Sequence, residues 1–119
     1  MADNSIGGST AKITRSRVGT RAVITLGGAV TQRDIETLDH IKNELTEENR
    51  NEVILDLKSV SFLDSASLEY ILKLHIDFKS RGGYLKLINV NSICRDIFVA
   101  TRLINTFLIF QDIHEAIKN

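Results

Sequence analysis

Asp56-Leu57-Lys58-Ser59-Val60-Ser61-Phe62-Leu63-Asp64-Ser65-Ala66-Ser67-Leu68 is the stretch whose reading decides what this chain becomes. Just upstream, Val53 to Leu57 is an apolar run interrupted only by Asp56, the pattern of a buried strand. Val60 to Leu63 leads out of it. Downstream, Leu68, Ile71, Leu72, Leu74, His75 and Phe78 fall within one broad apolar arc at helical spacing, with Glu69, Tyr70, Lys73 and Asp77 on the other side. The segment therefore predicts a strand running into a helix packed on a sheet. Polar residues gather at the junction, and apolar residues anchor both sides of it.

The same periodicities extend in both directions. Towards the N-terminus, Ile35, Leu38, Ile41 and Leu45 share one helical face, predicting a helix from Gln32 to about Thr46. Thr31 followed by Asp34 has the spacing of a capping box, with Asp in place of the usual Glu or Gln. Ala11 to Arg17 and Arg21 to Leu26 read as a β-hairpin across Gly19 and Thr20, and the Gly27-Gly28 pair as a turn. Met1 to Thr10 is small, polar and glycine-bearing, which predicts a flexible N-terminal arm over residues 1–10 and a single domain over 11–119. Towards the C-terminus, Gly82-Gly83 ends the second helix. Tyr84 to Asn89 then reads as a strand, Ser92 to about Ala100 as a helix and Thr106 to Phe110 as a strand. Ile113 to Ile117 follows as a short helix capped by Asp112, with Glu115 at the reciprocal position. The expected fold is α/β in the order β-β-α-β-α-β-α-β-α, a mixed sheet with helices packed against it.

Composition narrows the function. A chain of 119 residues suits one hydrophobic core, and 43% hydrophobic with 25% charged residues is a globular balance. Fifteen basic residues match fifteen acidic ones, so no global field recruits nucleic acid. Lys12, Arg15, Arg17 and Arg21 are the nearest approach to a basic patch, and their period-two spacing reads as the solvated face of two strands. Apolar runs fall well short of the roughly 20 residues that span a bilayer, and the first residues lack the form of a secretory signal. The lone Cys94 fits a reducing compartment, so a cytoplasmic location is expected, with no membrane partner.

No catalytic, cofactor or metal site emerges. His40, His75 and His114 are far apart, and none lies three or four positions from another His or Cys. His75 reads as a partly buried histidine on the apolar face of its helix, and Cys94 as a residue that fills core space. Neither glycine pair matches a phosphate-cradling pattern.

The junction itself admits two readings. Asp64 or Ser65 can simply cap the helix. Alternatively, a Ser65 hydroxyl exposed there receives a phosphoryl group, adding about −1.5 to −2 charges beside Asp64. The fold survives while a protein–protein contact is lost. Ser67 is an alternative acceptor.

At these residues the chain resembles the STAS domain family, and most closely its single-domain bacterial anti-sigma factor antagonists. The family pattern is a strand ending in Asp-Leu, then Val-x-Phe-x-Asp-Ser, a small residue and usually Gly-Leu. It stands here as Asp56-Leu57, Val60 to Ser65, Ala66 and Ser67-Leu68, with Gly82-Gly83-Tyr84-Leu85-Lys86-Leu87 matching the glycine pair before the next strand. The resemblance implies an antagonist that binds an anti-sigma factor with serine kinase activity. The kinase ends the antagonism by phosphorylating Ser65, and a metal-dependent serine phosphatase restores it. Two departures stand out. Ser67 replaces the usual Gly, and Gly28-Ala29-Val30-Thr31 replaces a frequent Gly-Glu-Leu-Asp whose acidic side chains would lie near the junction. The expected partner surface is Thr31, Ser61, Asp64, Ser65, Ser67, Glu69 and Lys73. The alternative function is a non-switching STAS scaffold or accessory subunit of a signalling or lipid-transport assembly.

Overall fold

Strand β1 (Lys12–Val18) and strand β2 (Arg21–Val30) form an antiparallel hairpin, Lys12 opposite Gly27 and Val18 opposite Arg21. Gly19 closes the two-residue turn at φ +64°, a backbone region that a side chain disfavours. A 3-10 turn (Gln32–Asp34) leads into α1 (Ile35–Glu47). There follow β3 (Glu52–Leu63), α2 (Ser65–Ser80), β4 (Tyr84–Ile88), α3 (Ser92–Ala100), β5 (Leu108–Phe110) and α4 (Ile113–Lys118). This computed structural model describes residues 11–119, so the arm expected over residues 1–10 lies outside the described residues. The element order is the expected one. The sheet is mixed, with β1 antiparallel to β2, β2 to β5 parallel, and strand order in space equal to strand order in the chain.

Alternation along the strands divides the core. Ala22, Ile24 and Leu26 of β2, Val53, Leu55 and Leu57 of β3, and Leu85 and Leu87 of β4 join one buried cluster. Leu38, Ile41 and Leu45 of α1, Leu68, Ile71, Leu74 and Phe78 of α2, and Cys94 and Phe98 of α3 complete it. The intervening Val23, Ile54 and Ile88 meet Ala116 of α4 on the other face. At about 1.5–3 kcal/mol per buried large apolar side chain, the face under α1, α2 and α3 supplies most of the driving force. Lys86, on the smaller face, is buried yet satisfied. Its Nζ donates to the Ala116 carbonyl at 2.8 Å and lies 4.2 Å from the centre of the Tyr84 ring, a cation placed at the C-terminal end of α4.

Two expectations about element limits and one about burial need correction. The Gly27-Gly28 pair is not a turn, because β2 runs on to Val30 and pairs in parallel with a β3 that continues unbroken to Leu63. Two register shifts interrupt that pairing. Thr25 and Gly27 face Asp56 and Ser59, and Gly28 and Ala29 face Val60 and Phe62, so β3 carries one extra residue at each place. Gly28 accommodates the irregularity at φ +79°. The carbonyls around the first bulge are met by the Asn91 side chain, whose Nδ2 lies 2.7 Å from the Val60 oxygen and 3.1 Å from those of Leu57 and Lys58. The last strand is shorter than expected, since Thr106 and Phe107 both donate their N–H to Leu103 O in a turn that precedes β5. Tyr70, expected on the solvent side of α2, is buried, and its hydroxyl donates to Asp39 Oδ1 of α1 at 2.8 Å.

The Gly82-Gly83 break is where it was expected, and each glycine has its own reason. Gly82 sits at φ +83°. A Cβ on Gly83 would stand 1.9 Å from the Asn51 carbonyl oxygen, which the Tyr84 N–H approaches to 2.8 Å.

Candidate functional site

The second bulge of β3 aims the end of the strand. Regular alternation would put Phe62 inside after Ser61 outside. With an extra residue between Val60 and Phe62, both Ser61 and Phe62 face solvent, and Phe62 is 49% exposed. Leu63 returns to the core, and the chain passes through Asp64 in an extended conformation to the first turn of α2.

Asp64 is the N-cap of α2. Its Oδ1 accepts the Ser67 N–H at 2.8 Å, and its Oδ2 accepts the Gln32 N–H at 2.9 Å from the 3-10 turn after β2. One carboxylate therefore ties the ends of β2 and β3 to the start of α2. Partial burial works against its charge, but the N–H groups of Ser67 and Gln32 outweigh that and hold the carboxyl below its ordinary value, with the Asp34 charge opposing. Asp64 is ionised at neutral pH.

Ser65, the first residue of α2, is exposed, and among the described residues no partner bonds its hydroxyl. Glu69 and Lys73 follow it at four-residue intervals, both exposed, so the three share one face of α2. Thr31 is half-buried on the neighbouring turn, its Oγ1 accepting the Arg33 N–H at 3.3 Å. Hydrogen bonds thus link Thr31's turn, Asp64 and the start of α2, while Ser61 lies just before them on β3.

Ser67 does not belong with these surface residues. It is 0% exposed, and its hydroxyl donates to the Val30 carbonyl at 2.8 Å, with the Asp64 carbonyl also in reach at 3.0 Å. Helical geometry turns the third residue of α2 inward, under the cap, against the end of β2. Its expected place on the partner surface, and as an alternative acceptor, is corrected accordingly.

Two residues at the site were missed. Phe62 reads as an apolar anchor unless the bulge is known, and the glycine pair facing it was its faint signal. Asp34 reads as a capping residue, and it is one. The Thr31 N–H donates to its Oδ2 at 2.8 Å, completing the capping box. Asp34 is also 0% exposed, and its Oδ1 accepts the Ala11 N–H at 2.9 Å at the start of β1. A carboxylate therefore remains beside the junction although Gly28 to Thr31 carries none.

The other titratable candidates lie in the core. Cys94 is fully buried, and burial pushes its thiol up to about 11. His75 is buried edge-on to Phe107 at 6.0 Å with its Nδ1 unbonded. Burial, aided by Lys79, lowers its pKa. Among the described residues no group of three or more His, Cys, Asp or Glu is placed to hold a metal, and no helix is long and apolar enough to cross a membrane.

Against known proteins, residues 12–116 match the STAS domain family model. No curated protein matches the sequence. Among solved structures, a candidate anti-sigma factor antagonist from Thermotoga maritima superposes with a TM-score of 0.82 at 20% identity, over 89% of this chain and 92% of that one. An anti-sigma factor antagonist from Mycobacterium paratuberculosis gives 0.79 at 16% identity, over 92% of each chain. The Bacillus cell fate determinant SpoIIAA, known in both states, gives 0.70 unphosphorylated, at 17% identity over 90% and 94%. The phosphorylated form gives 0.69, at 18% identity over 90% and 97%. That pair is a precedent for phosphoregulation on this fold.

Proposed function

The chain belongs to the STAS domain family, and from that premise we propose that it is an anti-sigma factor antagonist, acting in the cytoplasm through partner switching and inactivated by phosphorylation at Ser65. The observation that carries the reading is the Ser65 hydroxyl, exposed and unbonded at the N-terminus of α2 beside an ionised Asp64. The helix start tolerates a phosphate, because its first N–H groups lack helical acceptors and its dipole favours negative charge. Folding is therefore preserved. Asp64, by contrast, is fixed within the same turn, so a phosphate of about −1.5 to −2 charges concentrates repulsion on the surface the partner must approach.

The partner is an anti-sigma factor with serine kinase activity, which supplies ATP and metal chemistry. A metal-dependent serine phosphatase reverses the mark. The contact surface comprises Thr31, Ser61, Asp64, Ser65, Glu69 and Lys73, with Phe62, exposed beside Ser61, as its apolar member. Ser67 supports this surface from beneath.

The test is binding and phosphorylation with the anti-sigma kinases of the source cell. Ser65→Ala should bind and resist phosphorylation, and Ser65→Asp should bind poorly. Equal binding by wild type, Ser65→Ala and Ser65→Asp would sink the switch. The lack of acidic side chains at Gly28 to Thr31 favours a second reading, a constitutive STAS scaffold. A native mass showing a stoichiometric assembly indifferent to the Ser65 state would select it.

A further inference from the structure

We propose that Asp34 is the positioning residue of the Ser65 junction, acting through the Thr31-Gln32 peptide and the Asp64 carboxylate. The functional weight of this role rests on the Ser65 reading above, while the geometry stands apart from it.

Asp34 grips Thr31 at both ends. Its carboxylate accepts the Thr31 N–H at 2.8 Å, and its own backbone N–H donates to the Thr31 carbonyl at 2.9 Å. Thr31 is held extended, φ −132° and ψ −176°, with its hydroxyl also engaged by Arg33. Bonds at its N–H and its C=O restrain both backbone torsions of Thr31. The peptide unit carrying the Thr31 carbonyl also carries the Gln32 N–H, on the opposite side. Fixing the carbonyl toward Asp34 therefore aims that N–H outward, and its acceptor is Asp64 Oδ2 at 2.9 Å. Asp64 Oδ1 meanwhile holds Ser67 N–H, so the direction set at Thr31 is passed to the first turn of α2, where Ser65 is displayed.

A carboxylate suits this role for a specific reason. The Ala11 and Thr31 N–H groups approach different oxygens of Asp34, at 2.9 and 2.8 Å. An ionised aspartate offers two acceptor oxygens, whereas asparagine would turn an NH₂ toward one of those donors. The buried charge is thus a means of holding two chain segments that the sequence separates, one of which shapes the site.

Position and charge act on Asp64 in opposite senses, which gives the experiment its power. If Asp34 only contributed charge, Asp34→Asn would relieve repulsion and the Asp64 midpoint would fall. If Asp34 positions Gln32, the substitution loosens an N–H bond to the Asp64 carboxylate and the midpoint rises toward that of an ordinary aspartate. We expect the rise, followed by the side-chain carboxyl ¹³C resonance of Asp64 across pH in wild type and Asp34→Asn. A fall would overturn the proposal.

Hydrogen exchange on the wild-type domain gives a second arm that needs no variant to fold. The Thr31 and Gln32 amides should exchange in one opening event with the same protection. Free exchange at Gln32 while Thr31 stays protected would equally refute the role. Finding Ser65 unmodified in cells would remove the switch and leave both results intact, so the two ideas fail separately.

Discussion

Ser67→Glu should unfold the domain or nearly so, while Ser65→Glu should leave it folded, although the two serines are two positions apart. The difference follows from where the side chains lie. Ser67 is 0% exposed and donates to the Val30 carbonyl at 2.8 Å. Replacing it by glutamate forfeits that hydrogen bond, about 1 kcal/mol. It forces extra atoms into a filled space, about 1–3 kcal/mol. It also buries a carboxylate against that of Asp64, which costs at least several kcal/mol more. The sum reaches about 5 kcal/mol or beyond, the lower end of what a domain of this kind has in total. At Ser65 the new carboxylate is solvated and sits at a helix N-terminus, where it gains about 0.3–1 kcal/mol. Ser67→Ala isolates the hydrogen bond, and it should cost only about 0.5–1 kcal/mol because alanine is the better helix former. Urea denaturation followed by circular dichroism reads all three. A Ser67→Glu protein with the wild-type midpoint would refute the burial argument and return Ser67 to the list of acceptors.

The two glycines after α2 should respond unequally. Gly82→Ala should cost about 1 kcal/mol for its positive φ, and Gly83→Ala about 3 kcal/mol or more, because the methyl must displace Asn51 and its bond to the Tyr84 N–H. Similar melting temperatures for the two variants would contradict the close approach. His75 should make stability fall as pH drops. Burial keeps it neutral in the fold, while the unfolded chain takes up a proton from about pH 6.5 downward, so its contribution is complete above that value and declines through the window to its lowered native pKa. His75→Leu should flatten urea midpoints between pH 7.5 and 5.5, and an unchanged slope would assign that window to other groups. Cys94, with its thiol pushed up to about 11, should react with a disulfide reagent only as fast as the domain unfolds. Labelling of native protein at the mixing rate would show it accessible.

The helices were legible because their arcs are local. Leu38, Ile41 and Leu45 mark the buried side of α1, as Leu68, Ile71, Leu74 and Phe78 mark that of α2. The Asp64 cap was legible too, since a cap concerns neighbours in sequence. What escaped depends on distant partners. Tyr70 looked exposed because the arc of α2 was drawn for contact with the sheet, yet Asp39 of α1 covers that flank. Ser67 looked available because nothing near it in sequence announces the Val30 carbonyl. Phe62 looked buried because the two extra residues of β3 exist only relative to β2. Asp34 announced its bond to Thr31 through the capping-box spacing, and its bond to Ala11 not at all.

Strand order in space repeats strand order in the chain, and this bears on how the domain is made. Each strand pairs with the one preceding it, so no strand has to insert between two already joined, and after the β1–β2 hairpin each closure spans a single strand–helix–strand unit. A chain emerging from the ribosome can add strands in sequence behind one advancing edge. β3, the longest strand, is that edge until Tyr84 to Ile88 arrives, an interval of seconds at about 5–20 residues per second. α2 is the element made in that interval, so the β3–α2 junction that displays Ser65 is in place before β5 closes the sheet.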